Sequence, residues 1–101
     1  MTVLALDMVL HPPTRLQIAG VLAKVSEAEF AKLREITGVA DSVLSKHLSA
    51  MVDAGHVALR KAPLAGRQRT WAMLTRSGRK AFVAHVAALQ ALASSLSIAA
   101  E

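Results

Sequence analysis

The side chains of this 101-residue chain that could carry charge or take part in a reaction are four histidines, seven carboxylates and twelve lysines and arginines. Cysteine and tyrosine are absent. His11, His47, His56 and His85 are scattered, and no His/Asp/Glu set shares the spacing of metal ligands. His85, without a carboxylate near it in sequence, reads as a structural residue rather than a ligand, so neither a metal nor another cofactor is expected. An enzyme would need a nucleophile beside a base, paired carboxylates or a glycine-rich phosphate loop. Gly66 is an isolated loop glycine, and six of the seven acids cluster between Asp7 and Asp53 without a convincing pair. No enzymatic activity is expected.

The cations are arranged differently. From His56 through Ala100 there is no acidic residue, while Arg60, Lys61, Arg67, Arg69, Arg76, Arg79 and Lys80 supply seven of the twelve basic ones. Positive charge without a sequence-local counterpart suits a phosphate backbone or another anionic surface, whereas surfaces built only for solubility intersperse both signs. Arg76, Arg79 and Lys80 also open a helix, where positive charge opposes the helix dipole and suggests a compensating anion.

Composition limits what can position these groups. The residues are 53% hydrophobic, mostly Ala, Leu and Val, with two Phe and one Trp, which favours a mainly helical domain over a large sheet. The length suits a single domain. No apolar run approaches the roughly 20 residues of a membrane span, and the N-terminus lacks the order of a secretion signal. A cytoplasmic location is expected.

Along the chain, residues 3–10 read as a short apolar helix stopped by Pro12-Pro13. A second helix starts near Thr14 as a cap and runs to about 24, burying Leu16, Ile18, Ala19, Leu22 and Ala23. Ser26 and Glu29 form a capping-box pattern for a third, in which Phe30, Leu33 and Ile36 repeat at helical spacing until Gly38 redirects the chain. The fourth helix covers about 41–54, with Leu44, Leu48, Met51 and Val52 inward and Gly55 as its stop. Residues 57–62 and 68–74 are extended segments joined by a loop over 63–67, a hairpin pattern. Thr75-Arg76-Ser77-Gly78 then starts a long last helix with an apolar seam of Phe82, Val86, Leu89, Ala93 and Leu96.

Helix, helix, tight turn, helix, basic hairpin, helix is the layout of a winged helix-turn-helix. The stretches Gly38-Val39-Ala40-Asp41-Ser42-Val43-Leu44-Ser45-Lys46-His47-Leu48, Asp53-Ala54-Gly55-His56-Val57 and Leu74-Thr75-Arg76-Ser77-Gly78-Arg79 resemble the small regulators of the MarR and ArsR type. The resemblance is closest to the compact winged helix DNA-binding domain group and covers about residues 10–90. It implies that residues 41–54 are a recognition helix for the major groove and that about 60–70 form a wing on the backbone or minor groove. The residue types agree. Ser42, Val43, Ser45, Lys46 and Ser49 leave the outer face of the helix unobstructed, with hydroxyls for base edges or phosphates, a valine for a thymine methyl and a lysine for phosphate or guanine. Arg60, Lys61, Arg67, Gln68 and Arg69 would line the wing, Arg67 and Arg69 foremost. His47 is expected to bond locally, and Trp71 to plug the junction between wing and helices. Two positions depart from the family pattern: Ala40 stands where a Ser or Thr usually caps the recognition helix, and Thr37 where a buried Leu is common.

The seam Phe82, Val86, Leu89, Ala93 and Leu96, with Leu4, Leu6 and their apolar neighbours at the N-terminus, exceeds what a core this small can cover and predicts a dimer interface. The expected organisation is one domain over 1–101, with a core at about 11–76 and dimerisation helices at 1–10 and 77–101. A twofold dimer would present two recognition helices about 34 Å apart, so double-stranded DNA with an inverted repeat is the expected partner. No residue identifies a small-molecule effector, whose pocket would lie between the dimer helices and the DNA-binding lobe. Two other functions fit the same layout: a protein-interaction module that docks an acidic partner on the basic surface, and a non-specific nucleic-acid binder.

Overall fold

A computed structural model describes the backbone of residues 6–100 and the side chains of residues 6–96. Four helices and a three-stranded antiparallel sheet follow in the order α1 (Pro13–Leu22), β1 (Ala28–Glu29), α2 (Phe30–Thr37), α3 (Asp41–Asp53), β2 (Val57–Leu64), β3 (Arg67–Leu74) and α4 (Arg76–Ala100). The sheet runs β1-β3-β2, so the hairpin β2-β3 carries β1 on its outer side. This is a winged helix, mainly α with a hairpin wing, as the pattern predicts.

Local chemistry explains most boundaries. Pro13 opens α1, where its missing N–H would have no helical partner, and Pro12 rather than Thr14 is the capping residue. Gly38 ends α2 in the left-handed region, donating its N–H to Arg34 O. After α3 the Gly55 N–H reaches Val52 O and the His56 N–H reaches Met51 O, the paired bonds of a Schellman stop. The turn of the hairpin needs positive φ at both Ala65 (53°) and Gly66 (77°), a geometry that suits the right-handed twist of two adjoining strands. Leu64 pairs with Arg67 across it, so the strands reach further into the expected 63–67 loop than their composition suggests.

The core joins Ile18, Ala19 and Leu22 of α1, Leu33 of α2, Leu44, Leu48 and Met51 of α3, and Ala28, Val57, Ala72 and Leu74 of the sheet. Leu10 completes it from the N-terminal segment.

Four expectations need correction. The capping box at Ser26 and Glu29 does not form; Ala28 and Glu29 instead pair with Ala72 and Trp71 as β1, since strand pairing satisfies more backbone groups than one cap does. The helix expected over 3–10 is absent from its described part: Met8, Val9 and Leu10 make a turn, held by Asp7 Oδ1 accepting the Val9 and Leu10 N–H groups, while residues 3–5, Leu4 among them, lie outside the described residues. Leu10 is buried rather than part of an exposed stripe. Val52 is exposed on α3, not inward.

Candidate nucleic-acid interface

Helix α3 is two-faced. Leu44, Leu48 and Met51 are buried, and Ser42, Lys46 and Ser49, roughly half a turn round from them, are exposed, as are Ser45 on one flank and Val43, at 41%, on the other. Ala40 caps the helix without a side-chain bond, so the capping hydroxyl of the family pattern is lost. Asp41 in the first turn suits the helix dipole and accepts a 3.0 Å bond from Arg34. His47 stays out of the exposed face: its Nδ1 accepts from Arg15 Nε at 3.0 Å, and burial, then the Arg15 charge, hold its pKa below the usual histidine value.

The fold brings the two predicted groups of residues together. Ser45 and Ser49 of α3 share a cleft with Lys61 and Thr70 of the hairpin, floored by Phe30, Leu48 and Leu59. A second, more polar cavity of about 310 Å³ places Arg67, Gln68 and Arg69 beside Glu29 and Asp41. Lys46, Lys61, Arg67 and Gln68 are exposed, and no ion pair involves any of these three cations among the described residues.

Two wing arginines are placed otherwise. Arg60 makes two bonds to Glu27, 2.6 Å from Nη2 and 3.2 Å from Nε, and its guanidinium lies 5.7 Å from the centre of the Trp71 ring. Trp71 therefore supports Arg60 from the sheet surface. Arg69 donates one 2.7 Å bond from Nη1 to Glu29. The wing charge is thus partly compensated, by Glu29 of β1 and by Glu27 just before that strand, which sequence proximity did not reveal.

A polar cluster ties the N-terminal segment to the base of the hairpin and to α4. His85 is fully buried; its Nδ1 accepts the Asp7 N–H at 2.8 Å, which leaves the proton on Nε2, facing His11 Nδ1 at 3.4 Å. Burial, then the neighbouring His11, depress the His85 pKa, against a smaller opposing pull from Asp7. Asp7 Oδ2 accepts from His56 Nε2 at 2.8 Å. Burial pushes the Asp7 carboxyl up, but the bonds from the Leu10 N–H, His56 and the Val9 N–H together bring it below its usual value. With both ring nitrogens of His85 in hydrogen bonds the group is structural, and among the described residues no three His, Asp or Glu side chains are grouped to hold a metal.

The last helix begins on the same base. Thr75 caps it by accepting the Gly78 N–H at 2.9 Å, while the Thr75 and Ser77 hydroxyls both donate to Gly55 O. Of the expected seam, Phe82 is half-buried against the domain's own core, Leu6, Val86 and Leu89 are half-buried, and Ala93 and Leu96 are exposed, Leu96 by 63%.

The chain matches the family model for the winged helix DNA-binding domain over residues 14–93 and belongs to that family. No curated protein matches it in sequence. Among solved structures it is similar to a transcriptional regulator homologue from Pyrococcus horikoshii OT3, at 24% identity over 89% of each chain with a TM-score of 0.83. It is also similar to a possible transcriptional regulator for arsenical resistance, 28% identical over 94% of this chain and 85% of that one, TM-score 0.60. NadR in complex with 4-hydroxyphenylacetate shares the fold at 18% identity, covering 96% of this chain and 68% of its own, TM-score 0.72. The neighbours are transcriptional regulators of the MarR and ArsR kind, and no helix among the described residues is long and apolar enough to cross a membrane.

Proposed function

We propose that this protein is a homodimeric, cytoplasmic transcriptional regulator, not an enzyme, that binds a specific double-stranded DNA site. The observation that carries this reading is the cleft in which exposed Ser45 and Ser49 of α3 meet Lys61 of the wing, with Ser42, Val43 and Lys46 on the same free helix. A helix with small polar residues outward can enter the major groove while the adjacent hairpin reaches the backbone or minor groove. Arg67 and Gln68 near the wing tip serve the second contact; Arg60 and Arg69 enter it only by leaving Glu27 and Glu29. The dimer forms through α4, about 37 Å long at 1.5 Å per residue, whose Leu92 and Leu96 are exposed beyond the part that packs on its own domain. Twofold symmetry then makes the site an inverted repeat with half-sites one helical turn apart.

Selection of bound sequences from a random duplex pool, followed by titration across salt, tests this. The expected result is an enriched inverted repeat, with a log-log salt slope near −7 if a dimer neutralises about eight phosphates. Arg67→Ala flattens that slope, and Lys46→Ala weakens binding to the selected site. Absence of duplex binding at low salt would overturn the reading in favour of a protein-interaction module, and equal affinity for all sequences would reduce it to a non-specific binder.

A further inference from the structure

Arg60 and Arg69 sit on the same hairpin and each meets a glutamate, yet the two are held differently. Arg60 is fixed three ways, by two bonds to Glu27 and by the Trp71 ring. Arg69 is held by a single bond, from Nη1 to Glu29 Oε1; its Nε is buried with no acceptor, so the guanidinium has donors left unused. The Arg69 and Glu29 side chains remain 32% and 21% exposed, and both line the polar cavity that opens between the wing and the start of α3, beside Arg67 and Asp41.

Asp41 is already engaged by Arg34, which leaves Glu29 as the carboxylate that neutralises a wing cation in this cavity. A carboxylate and a phosphate offer arginine the same chemistry, two oxygens in a plane carrying negative charge. From this arrangement we infer that Glu29 limits affinity for DNA: its carboxylate occupies Arg69 in place of a DNA phosphate and so subtracts one sequence-independent contact from each subunit. The inference rests on the DNA-binding reading above.

The physical consequence follows from the two kinds of contact. Backbone contacts add affinity for every sequence equally, while base-edge contacts from α3 add it only for the right one. A wing that keeps Arg69 on Glu29 weakens binding to right and wrong sites by the same factor, which lowers occupancy of the vast excess of wrong sites and leaves the ratio between right and wrong unchanged. Glu29 therefore lowers raw affinity and its salt dependence without changing discrimination.

The test is a double-mutant cycle read by anisotropy of a labelled, mixed-sequence duplex and of the selected duplex across salt: wild type, Glu29→Gln, Arg69→Ala and the two combined. Glu29→Gln should bind the mixed-sequence and the selected duplex several-fold more tightly, steepen the log-log slope by about 1 per subunit, and leave the ratio of specific to non-specific affinity unchanged. Arg69→Ala alone should leave the wild-type slope unchanged, and the combined variant should return to it. If the gain survives in the combined variant, the effect is loss of a negative charge and not release of Arg69, and the inference fails. It also fails if Arg69→Ala alone flattens the slope, because Arg69 would then already be on a phosphate. Should Glu29→Gln not fold, Glu29→Ala, which also removes the carboxylate, replaces it with the same expected gain. Wild-type protein that binds no duplex at low salt refutes the underlying DNA-binding reading, a result distinct from a wild type that binds while Glu29→Gln gains nothing.

Discussion

The wing and the base of the hairpin both join residues far apart in sequence, and they do so with opposite economy. On the wing, Arg60 reaches Glu27 and Arg69 reaches Glu29 across 33 and 40 residues, through side chains that keep contact with water. At the base, Asp7 meets His56 and His85 across 49 and 78 residues, through groups mostly or wholly out of water. A charge pair in water is worth little and exchanges easily, whereas a buried polar group left without its partner costs its full desolvation. The base is therefore built to hold α4, the N-terminal segment and the hairpin in one arrangement, and the wing to let its cations choose between partners.

The largest expected effect lies at the base. Gly78, in the first turn of α4, lies so close to the His56 backbone that a Cβ there would fall on the His56 carbonyl and its neighbouring atoms. Those atoms belong to the backbone and are fixed by the Thr75 N–H bonded to His56 O. Neither side can give way cheaply. Gly78→Ala should destabilise the fold by about 3 kcal/mol, the upper end of overpacking costs, as measured by denaturant unfolding. A change below about 0.5 kcal/mol, the ordinary range of surface substitutions, would mean that α4 can slide on the base, and the contrast with the wing would weaken.

Acid should reveal the same contrast less abruptly. His85 and His47 have folded pKa values below their usual one. The unfolded chain therefore takes up protons first, and the stability these rings confer is fully present above about pH 6.5. It is lost as pH falls from there toward their folded values. Asp7, also depressed, adds a second loss below about pH 4, where its carboxyl must be protonated. Stability measured by denaturant between about pH 7 and pH 5 should decline, and His85→Gln should remove part of that slope. A flat profile through this range would show that the base is not the pH-sensitive half of the molecule.

The difference in legibility between the two regions has a physical cause. Signals that act within a few residues were readable: Gly38 and Gly55 end helices where expected, α3 runs within a residue of its predicted bounds, and Thr75 caps α4. So were the exposed Ser42, Lys46 and Ser49 of α3, because the period of Leu44, Leu48 and Met51 fixes which side faces out, although Val52 was expected inward and is exposed. What failed depended on partners far along the chain. Ala28 and Glu29 become a strand only because β3 lies beside them, and the capping-box pattern gives way to that pairing. Residues 3–10 look apolar enough for a helix, but in their described part Asp7 turns the chain and sends Leu10 into the core. The acid-free stretch after His56 looks uncompensated until the fold brings Glu27 and Glu29 to it.

The smallest expected effect is at the more tightly held of the two wing pairs. Arg60 and Glu27 share two hydrogen bonds, but their side chains are 47% and 29% exposed. Solvent screens the attraction, and ordering two long side chains offsets part of it. A double-mutant cycle of Arg60→Gln and Glu27→Gln, read by denaturant unfolding, should give a coupling below about 1 kcal/mol, well under the effect at Gly78. The Trp71 ring keeps Arg60 in place after Glu27→Gln, which is why this pair, unlike Arg69 and Glu29, should add little to DNA affinity when its carboxylate is removed. A coupling of about 2 kcal/mol or more, typical of buried charge-assisted bonds, would place the wing pair among the structural contacts. The division between a rigid base and an exchangeable wing would then run through the hairpin itself, between Arg60 and Arg69.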